Sequence, residues 1–452
     1  MKGKTQEYDL VIGLGASGIS MVRFLHAKGR KVIATDIDAS RKSVADELNA
    51  LGIETQIGFH DQMTFNRARV LIPSPGIPLG NSYINTAVKS GVPVTGELDI
   101  FSEYNTLPVI AITGTNGKTT TAMLIGEMLI ACGMNPFVGG NVGTPLVDQL
   151  MDSRKYDIIV AEISSFQLDL SQIFRPDVGI LLNISEDHLD RYENYAAYDR
   201  SKWRLFKQQR TTDAAVINQA INCFDSRINS VKSKIYLFSS RDDSSIQRGA
   251  VIRSGKIDIK TDSARHCINV NQLITLQGIH NQENMAAALL GCLAMGADIH
   301  GLKTGLNQFK NLPHRLEFIR KVDSISFYND SKATNTDAVI RALHSFGKNI
   351  ILILGGREKG TDFSRLKPGI KASVKEIIAI GESKENIQEA LKDTCAIQKA
   401  ENMETAVIAA FNAADRNDTV LLAPACASFD MYENYAARGN DFKQQVFKLG
   451  TR

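Results

Sequence analysis

The segment Ala111–Thr121 has the residue types of a nucleotide-phosphate loop, but it does not have the usual spacing. The common template is a glycine, four residues of any type and then Gly-Lys-Ser/Thr, and its first position here is Ile112. Phosphate binding needs backbone amides, a helix N-terminus, a lysine and a hydroxyl near a metal. A shortened loop can still supply all of these groups. The residues that would do so are Gly114, Gly117, Lys118 and Thr119.

ATP use also requires a divalent metal. Magnesium is usually bound by one or two carboxylates together with phosphate oxygens. Glu162, which follows the next apolar run of this region, is the candidate carboxylate. His188, in the run Glu186-Asp-His-Leu-Asp190, could add a nitrogen ligand at a second metal. A histidine that only makes structural hydrogen bonds is an equal alternative at this position.

Three continuous apolar runs precede these polar residues: Val109–Thr113, Tyr156–Ala161 and Val178–Ile184. Such runs are typical of parallel strands that are buried on both faces of a sheet. Lys118 follows the first run, Glu162 the second and His188 the third. Because the carboxyl ends of parallel strands lie at one edge, we expect these polar groups to converge on one site.

A Gly-x-Gly-x-x-Gly turn follows a short apolar strand near the N-terminus, with Gly13, Gly15 and Gly18 at its glycine positions. A second strand ends at Asp36, about 20 residues further on. Tight-turn glycines, a helix N-terminus for phosphate and an acid for a ribose hydroxyl form a nearly complete dinucleotide fingerprint. Taken alone, this spacing favours NAD.

A proline-rich loop, Pro73-Ser-Pro-Gly-Ile-Pro78, follows the apolar run Arg69–Ile72. Its backbone amides would lie at the carboxyl end of a strand, where open parallel sheets bind ligands. A plain rigid turn explains the same residues equally well.

Strands and helices alternate again from about Leu312 onward. The α/β layer therefore recurs three times along the chain, and the length of 452 residues suits two or three domains. We predict an α/β fold with domains at 1–96, 97–311 and 312–452. The apolar runs of the last block are Asn349–Leu354, Glu376–Ile380 and Asp418–Ala423.

Composition argues against several classes of protein. The formal net charge of +3 and the lack of a basic run do not predict nucleic-acid binding. The six cysteines are dispersed without a Cys-x-x-Cys pair, so neither a zinc ribbon nor a disulfide scaffold is indicated. No signal-peptide core and no long apolar run occur, so we expect a cytoplasmic protein with no membrane partner.

Five motifs in order resemble the motif set of the Mur ligase superfamily, the ATP-dependent ligases that build the peptidoglycan peptide. The resemblance spans nearly the whole chain, and an ordered set of motifs is more specific than a single loop. The motifs are Thr113–Thr120, Glu162–Leu168, Asn183–Arg191, Gly278–Asn284 and Leu312–Glu317.

The last block is similar to the D-glutamate-adding branch of this family. Asn329-Asp-Ser-Lys-Ala-Thr-Asn335 and Ala423-Pro-Ala-Cys-Ala-Ser-Phe-Asp430 carry this similarity. The alanine-adding branch typically has His before Gly-Lys in the phosphate loop, where this chain has Asn116. The Asp-Asn-Pro-Arg motif of the diaminopimelate branch is absent, and folylpolyglutamate synthase lacks the Asp-Ser-Lys-Ala-Thr pattern.

The resemblance implies an N-terminal Rossmann-like domain, a central ATP-binding domain with a parallel sheet and a C-terminal Rossmann-like domain. It implies UDP-N-acetylmuramoyl-L-alanine and D-glutamate as substrates, ATP and Mg²⁺ as cofactors, and an acyl-phosphate intermediate. We also expect a monomeric protein. The glycine-rich turn near the N-terminus would then bind the UDP end of the substrate. Spacing alone pointed to NAD.

The resemblance also implies roles for individual residues, each by its match to a motif position. The implied catalytic residues are Lys118, Glu162, His188 and Lys202. Metal binding is implied for Thr119, Glu162, His188 and Lys202, the last as a carbamylated lysine. ATP binding is implied for Gly114, Thr115, Asn116, Gly117, Lys118, Thr119, Thr120, Asn281, Asn284, Arg315 and Asp330. The UDP substrate would contact Gly15, Ala16, Ser17, Asp36, Ser74, Pro75, Gly76, Asn141 and Ser164. D-Glutamate would contact Lys332, Thr334, Lys359, Ser428 and Tyr435.

Several of these residues have simpler explanations. Asn281 could cap a helix running from about Gln282 to Met295, and Asn141 could be an ordinary turn residue. Lys359 could belong to a solvated charge cluster. Lys202 could be a solvated charge on the helix that contains Trp203.

Two other functions compete with a ligase. The glycine turn and Asp36 would suit a nicotinamide-dependent oxidoreductase, and the phosphate loop would suit an ATP-gated binding protein without turnover. Phosphate release that depends on an amino acid, hydride exchange, and binding without turnover distinguish the three functions.

Overall fold

The computed structural model describes residues 8–450 except 189–190, 222–223, 242–245, 263, 272–277, 311 and 359. Within these residues the chain forms two compact units. The first contains described residues of 1–184, 196–268 and 284–308, and the second those of 185–195, 269–283 and 309–452. No helix among the described residues is long and apolar enough to span a membrane.

The first sheet has four parallel strands in the order β3-β2-β1-β4. Its core contains residues from the strands and from the helices packed on them, among them Leu10, Ile33 and Phe65. The strands are β1 (Asp9–Ile12), β2 (Val32–Asp36), β3 (Glu54–Ile57) and β4 (Val70–Pro73). The helices are α1 (Ala16–Ala27), α2 (Lys42–Ala50), α3 (Gln62–Arg67) and α4 (Ser82–Lys89).

The second sheet has nine strands in the order β13-β12-β11-β10-β9-β8-β5-β7-β6. The strands are β5 (Val109–Thr113), β6 (Pro136–Gly140), β7 (Ile158–Glu162), β8 (Val178–Leu181), β9 (Ala214–Asn218), β10 (Lys234–Ser239), β11 (Gly249–Arg253), β12 (Lys256–Lys260) and β13 (Arg265–Asn269). The helices in this part of the chain are α5 (Glu97–Tyr104), α6 (Lys118–Ala131), α7 (Leu146–Gln149), α8 (Ser165–Asp169), α9 (Tyr195–Trp203), α10 (Phe224–Arg227), α11 (Ile279–Ala294) and α12 (Ile299–Gln308).

The centre of the second sheet confirms the prediction from the apolar runs. Strands β5, β7 and β8 are adjacent and parallel, and every residue in them is buried. Continuous apolar runs suit strands that are covered on both faces. Strands β9–β13, which no sequence pattern predicted, extend the sheet, and β11 pairs with β12 in the antiparallel direction.

The third sheet has six strands in the order β14-β15-β19-β16-β17-β18, and only the β14–β15 pair is antiparallel. The strands are β14 (Glu317–Val322), β15 (Ile325–Asn329), β16 (Ile350–Gly355), β17 (Val374–Ile380), β18 (Ala396–Ala400) and β19 (Thr419–Leu422). The helices are α13 (Thr336–Leu343), α14 (Lys367–Ser373), α15 (Lys384–Leu391), α16 (Met403–Ala413) and α17 (Tyr435–Lys448). Short 3₁₀ helices span Ala39–Arg41, Arg204–Phe206, Ile228–Ser230 and Phe363–Leu366.

Two cores cover the opposite faces of the third sheet. Leu352 and Leu354 of β16 face one core, and Ile351 and Ile353 face the other. This alternation follows from the two-residue repeat of a strand, and it explains why β16 is apolar at consecutive positions. The α/β fold predicted for the last block is confirmed, with the strands near their predicted positions.

Candidate active site

The phosphate loop connects β5 to the N-terminus of α6, as its sequence predicted. Gly117 precedes α6 with a φ of 87°, and Gly114 has a φ of 156°. A Cβ atom added to Gly117 would lie 2.3 Å from Oδ1 of Asn284, so a larger residue would clash as well as strain the backbone. The loop therefore needs these glycines even though it departs from the common template.

Asn183 holds the phosphate loop against the end of β8. Its Oδ1 accepts a hydrogen bond from the Asn116 backbone N–H at 2.9 Å, and its Nδ2 donates to the Asn116 carbonyl at 3.0 Å. The Thr115 N–H donates to the Asn183 carbonyl at 3.0 Å. Asn183 was not among the predicted site residues, although it is the first residue of a motif used for the family resemblance.

Two lysine side chains converge on one carbonyl oxygen of the loop. Lys118 Nζ donates to the carbonyls of Gly114 at 2.9 Å and Thr115 at 3.0 Å. Lys202 Nζ donates to the same Gly114 carbonyl at 3.0 Å. Two ammonium groups beside a helix N-terminus produce a positive region that suits a polyphosphate.

The surroundings of Lys202 contradict its interpretation as a solvated charge. The residue is only 1% exposed, although it lies on the short helix α9 among polar neighbours. Its Nζ lies 4.5 Å from the ring centroid of Tyr198, within the range of a cation–π contact. The Tyr198 hydroxyl in turn lies 3.2 Å from Thr115 Oγ1. Lys202 is therefore a buried part of the loop's support.

Glu162, the last residue of β7, brings two predicted site residues together. Thr119 Oγ1 donates to Glu162 Oε2 at 2.7 Å, and Asn141 Nδ2 donates to Glu162 Oε1 at 3.1 Å. The glutamate is 3% exposed. Asn141 thus holds a carboxylate oxygen and is more than an ordinary turn residue.

The donor atoms near the loop fit magnesium better than a metal held entirely by protein. Thr119 and Glu162 offer oxygen atoms, and magnesium commonly takes its other ligands from phosphates and water. Among the described residues, no cluster of three or more His, Cys, Asp or Glu side chains could form a closed metal cage.

At the glycine-rich turn of the first sheet, hydrogen bonds connect the ends of β1, β2 and β4. Asp36 Oδ2 accepts from the Leu14 N–H at 2.6 Å, and its Oδ1 accepts from the Asp38 N–H at 2.9 Å. Ser74 Oγ donates to the Gly13 carbonyl at 2.8 Å. Asp36 therefore has a structural task in the turn, whichever nucleotide binds there.

The N-terminus of α1 is accessible at this turn. Gly15 and Ala16 are exposed and Ser17 is half-buried, so backbone N–H groups of the first helical turn can reach a ligand. In the following loop, Ser74 and Pro75 are half-buried and Gly76 is exposed.

In the second unit, the segment that carries His188 is attached to residues of the third block. Asn335 Nδ2 donates to Asp187 Oδ2 at 3.2 Å, and an Arg365 nitrogen lies 2.9 Å from Glu186 Oε2. His188 has a φ of 56°, which is uncommon for a residue with a side chain. This backbone conformation and these contacts define where the histidine lies within this unit.

A cavity of about 170 Å³ lies in the second unit. Among its lining residues are His188, Thr334, Arg357, Arg365 and Cys426. The arginines have the charge that an acidic amino acid requires, but each is paired with a glutamate, and Glu186, Asp187 and Asp362 also line the cavity. Neither arginine was among the predicted site residues, because a single arginine in a loop has no distinguishing sequence pattern.

The residues predicted to bind D-glutamate differ in their surroundings. Lys332 Nζ lies 4.0 Å from the ring centroid of Tyr435, so these two residues are in contact. Thr334 is exposed, while Ser428 is 2% exposed. The prediction for Lys359 lies outside the described residues.

Arg315, which is predicted to bind the nucleotide, lies within a turn with unusual backbone angles, and this turn contacts Asp330. His314 and Leu316 have φ values of 64° and 43°. The Leu316 N–H donates to Asp330 Oδ1 at 3.2 Å. Desolvation raises the pKa of Asp330 to about 7, although this N–H and the charge of Arg315 act in the opposite direction.

Asn281 and Asn284 both lie within helix α11, which begins at Ile279. The alternative that Asn281 caps this helix is therefore wrong, since the residue lies inside the first turn. Both asparagines are nearly buried.

Three family models match the chain in order. A Mur ligase MurD-like N-terminal domain matches residues 7–96, a Mur ligase middle domain matches 112–292, and a Mur ligase glutamate ligase domain matches 314–426. The chain belongs to the Mur ligase family. This membership confirms the family resemblance. The glycine spacing, which alone had favoured an oxidoreductase, no longer supports that function.

Relatives cover nearly the whole chain. A UDP-N-acetylmuramoylalanine–D-glutamate ligase from Desulfosudis oleivorans is 41% identical over 444 residues, which are 97% of this chain and 96% of the relative. A ligase of the same name from Pelotomaculum thermopropionicum is 39% identical over 99% of both chains.

Solved structures of Mur-type ligases share the fold. A pseudomurein peptide ligase type C from Methanothermus fervidus matches with a TM-score of 0.62 at 19% identity, covering 98% of this chain and 100% of that chain. A UDP-N-acetylmuramate-alanine ligase from Thermotoga maritima matches with a TM-score of 0.59 at 16% identity, covering 97% and 99%. At these identities the likeness supports the three-domain α/β fold alone. The domain boundaries and the residue roles stay predictions.

Proposed function

We propose that this chain is an ATP-dependent ligase that joins D-glutamate to UDP-N-acetylmuramoyl-L-alanine in the synthesis of peptidoglycan precursors. The observation that carries the substrate assignment is the 41% identity over 97% of the chain to a relative with that name. The convergence of Lys118, Lys202 and Thr119 around the phosphate loop supports the ATP-dependent chemistry. Monomeric state and cytoplasmic location stay predictions.

The reaction has two steps. A carboxylate oxygen of the substrate's L-alanine attacks the γ-phosphorus of ATP, which forms an acyl phosphate as the bond to the ADP oxygen breaks. The amine of D-glutamate then attacks the acyl carbon, inorganic phosphate leaves, and the amine loses a proton. Charge on the transferred group is spread over its oxygens, so catalysis depends on positioning and charge neutralisation.

The residues of the phosphate loop suit the first step. The N–H groups at the start of α6 and the Lys118 ammonium would hold the β- and γ-phosphates. Lys118 must exchange its carbonyl partners for phosphate oxygens when ATP binds. Thr119 and Glu162 would hold magnesium, which neutralises phosphate charge when it is bound. His188 would contribute at a second metal.

Lys202 has a proposed role that requires a chemical modification. A neutral lysine amine can attack carbon dioxide, which yields a carbamate and releases a proton. Lys202 is buried, and its Nζ contacts the Gly114 carbonyl and the Tyr198 ring. A carbamate would change this residue from a cation into an anion that can assist a metal.

The two substrates would bind on different parts of the chain. The turn at Gly15–Ser17, together with Asp36 and the loop Ser74–Gly76, would bind the UDP end, while Asn141 and Ser164 would contact the muramoyl-alanine arm. The predicted D-glutamate residues lie in the last block. They are Lys332, Thr334, Lys359, Ser428 and Tyr435.

An assay of phosphate release tests this function. Release should require ATP, UDP-N-acetylmuramoyl-L-alanine and D-glutamate together, because the amide forms only from the acyl phosphate and the amine. Comparable release with L-alanine or diaminopimelate in place of D-glutamate would refute the assignment. Reduction of NAD by the protein would revive the oxidoreductase hypothesis.

A further inference from the structure

Glu97 is a buried carboxylate with no role in the predicted active site. It is the first residue of helix α5 and is 6% exposed. Desolvation raises its pKa, although hydrogen bonds from Gln167 and from backbone N–H groups oppose this shift. A buried carboxylate is costly unless polar partners satisfy it, so its partners are informative.

Each oxygen of Glu97 contacts a different segment. Oε1 accepts a hydrogen bond from the Leu146 N–H at 2.8 Å, at the first residue of α7. Oε2 accepts from Gln167 Nε2 at 3.1 Å, within α8. Both partners donate, which is the arrangement that an ionised carboxylate requires.

The Gln167 contact extends to Ser164. Gln167 Oε1 accepts from the Ser164 N–H at 2.9 Å and from Ser164 Oγ at 3.0 Å. Ser164 Oγ accepts from the Gln167 N–H at 3.2 Å, which completes a capping box at the start of α8. Glu97 binds the amide nitrogen of Gln167, so it keeps the amide oxygen directed at Ser164.

The Leu146 contact lies at the other side of the same site. Leu146 follows the loop that connects β6 to α7, and this loop carries Asn141. Asn141 contacts Glu162, and Ser164 lies two residues after Glu162. One buried carboxylate therefore holds both segments whose side chains are assigned to the muramoyl-alanine arm.

We propose that Glu97 is a positioning residue for binding of the UDP-linked substrate, because it fixes the Asn141 loop and the Ser164 turn before that substrate arrives. This inference rests on the proposed function, in which Asn141 and Ser164 contact the substrate. Binding is tighter when less free energy is needed to order the binding site. The KM for the UDP-linked substrate depends on Glu97 more strongly than the KM for ATP does.

Glu97→Gln is the first test. The new amide offers one acceptor and one donor group, so either orientation places its nitrogen against Gln167 Nε2 or against the Leu146 N–H. We expect the KM for the UDP-linked substrate to rise about tenfold. The KM for ATP should stay within about twofold.

A double substitution exchanges the hydrogen-bond donor and acceptor between positions 97 and 167. In Glu97→Gln/Gln167→Glu, the amide nitrogen at position 97 can donate to the new carboxylate, whose other oxygen can still accept from Ser164. The double variant should recover the KM for the UDP-linked substrate to within about threefold of the original protein. If Glu97→Gln does not fold, Gln167→Met breaks the same contact and should raise the same KM.

Asp99→Asn is the matched control. Asp99 lies on the same helix and is also 6% exposed, but it accepts from Ser171 Oγ at 2.7 Å and from the Gln172 N–H at 2.8 Å. These partners lie outside the Asn141 loop and the Ser164 turn. Asp99→Asn should lower the unfolding midpoint, and the KM for the UDP-linked substrate should not change.

Two measurements separate failure of this inference from failure of the proposed function. Ser164→Ala should raise the KM for the UDP-linked substrate, and an unchanged KM would refute the substrate contact itself. Amide hydrogen exchange in Glu97→Gln should accelerate at Leu146 or at Ser164, on the side where the new amide nitrogen faces a donor, whatever the substrate is. Unchanged exchange, an equal rise of KM in Asp99→Asn, or a folded double variant without recovery would overturn the role of Glu97.

Discussion

Two glycine turns in this chain each contain a left-handed glycine, but that glycine lies immediately before the helix only in the second turn, and the side chains around the turns differ. Each connects a parallel strand to a helix, one between β1 and α1 and the other between β5 and α6. Gly13 in the first turn and Gly117 in the second have φ values of 89° and 87°. Both turns therefore present a helix N-terminus to a ligand, and the backbone alone does not select the nucleotide.

We propose that the side chains around the turns provide the selection. In the first turn, the carboxylate of Asp36 accepts from the Leu14 and Asp38 N–H groups. In the second, Lys118 and Lys202 both donate to the Gly114 carbonyl. The Lys118 ammonium, which stays charged in the proposed mechanism, suits the high charge of a triphosphate, while a turn with an acid suits a ligand that also offers hydroxyl donors. A glycine pattern without its side chains is a weak guide to the ligand.

Lys118→Ala should have the largest effect of the substitutions that test this comparison. Loss of a cation that contacts the transferred phosphate should lower kcat by about 1,000-fold. Single-turnover phosphate release measures this change, and the unfolding midpoint reports whether the loop remains folded. A loss of less than about tenfold would show that the second turn does not depend on its lysine.

Lys202→Arg should have the next largest effect. Arginine retains a positive charge but cannot form the carbamate, so we expect a loss of about 100-fold in kcat. Lys207→Arg is the matched control, because Lys207 is exposed. Full activity in Lys202→Arg would eliminate the carbamate, while bicarbonate-dependent activity of the original protein would support it.

Gly117→Ala and Gly13→Ala form a pair across the two turns. Each alanine would strain a left-handed backbone by about 1–2 kcal/mol. At Gly117 the new Cβ would also lie 2.3 Å from Asn284 Oδ1, whereas at Gly13 the nearest atom is 3.2 Å away on Ile77. We expect about tenfold weaker ATP binding in Gly117→Ala and a smaller loss, confined to UDP, in Gly13→Ala. If both variants lost affinity for ATP and for UDP to the same extent, the two turns would not have separate ligands.

Asp36→Asn should have the smallest effect. Asparagine can accept one of the two backbone hydrogen bonds of Asp36, so about 1 kcal/mol of stability should be lost. The KM for the UDP-linked substrate should rise about fivefold, which corresponds to a similar free energy. Asp38→Asn is the control, because Asp38 is exposed and accepts from the Ser40 N–H instead. A change in the KM for ATP in Asp36→Asn would contradict the assignment of Asp36 to the UDP-linked substrate.

The local features of the second turn could be predicted from sequence. Continuous apolar runs identified β5, β7 and β8, and the parallel order of these strands explains why Lys118 and Glu162 follow neighbouring strand ends. The lysine and hydroxyl next to the glycines indicated phosphate binding. These signals are local, so they are visible in a single sequence.

Burial and long-range contacts could not be predicted in this way. Lys202 is charged and lies in a polar helix, so only the family resemblance suggested a role for it. Glu97 and Gln167 are separated by 70 positions, and no periodicity connects such residues. The contact of Asp36 with the Leu14 N–H was likewise not visible in the spacing of the first glycine turn, and the support for NAD was removed by family membership instead.

The central claim is that the two turns bind different nucleotides, and calorimetric titration of one protein with two ligands tests it most directly. A non-hydrolysable ATP analogue and UDP should bind together to the original protein without competition. Lys118→Ala should lose the ATP analogue and retain UDP, and Asp36→Asn should weaken UDP alone. Competition between the two ligands, displacement of UDP by NAD, or loss of both ligands in a folded Lys118→Ala protein would contradict the account.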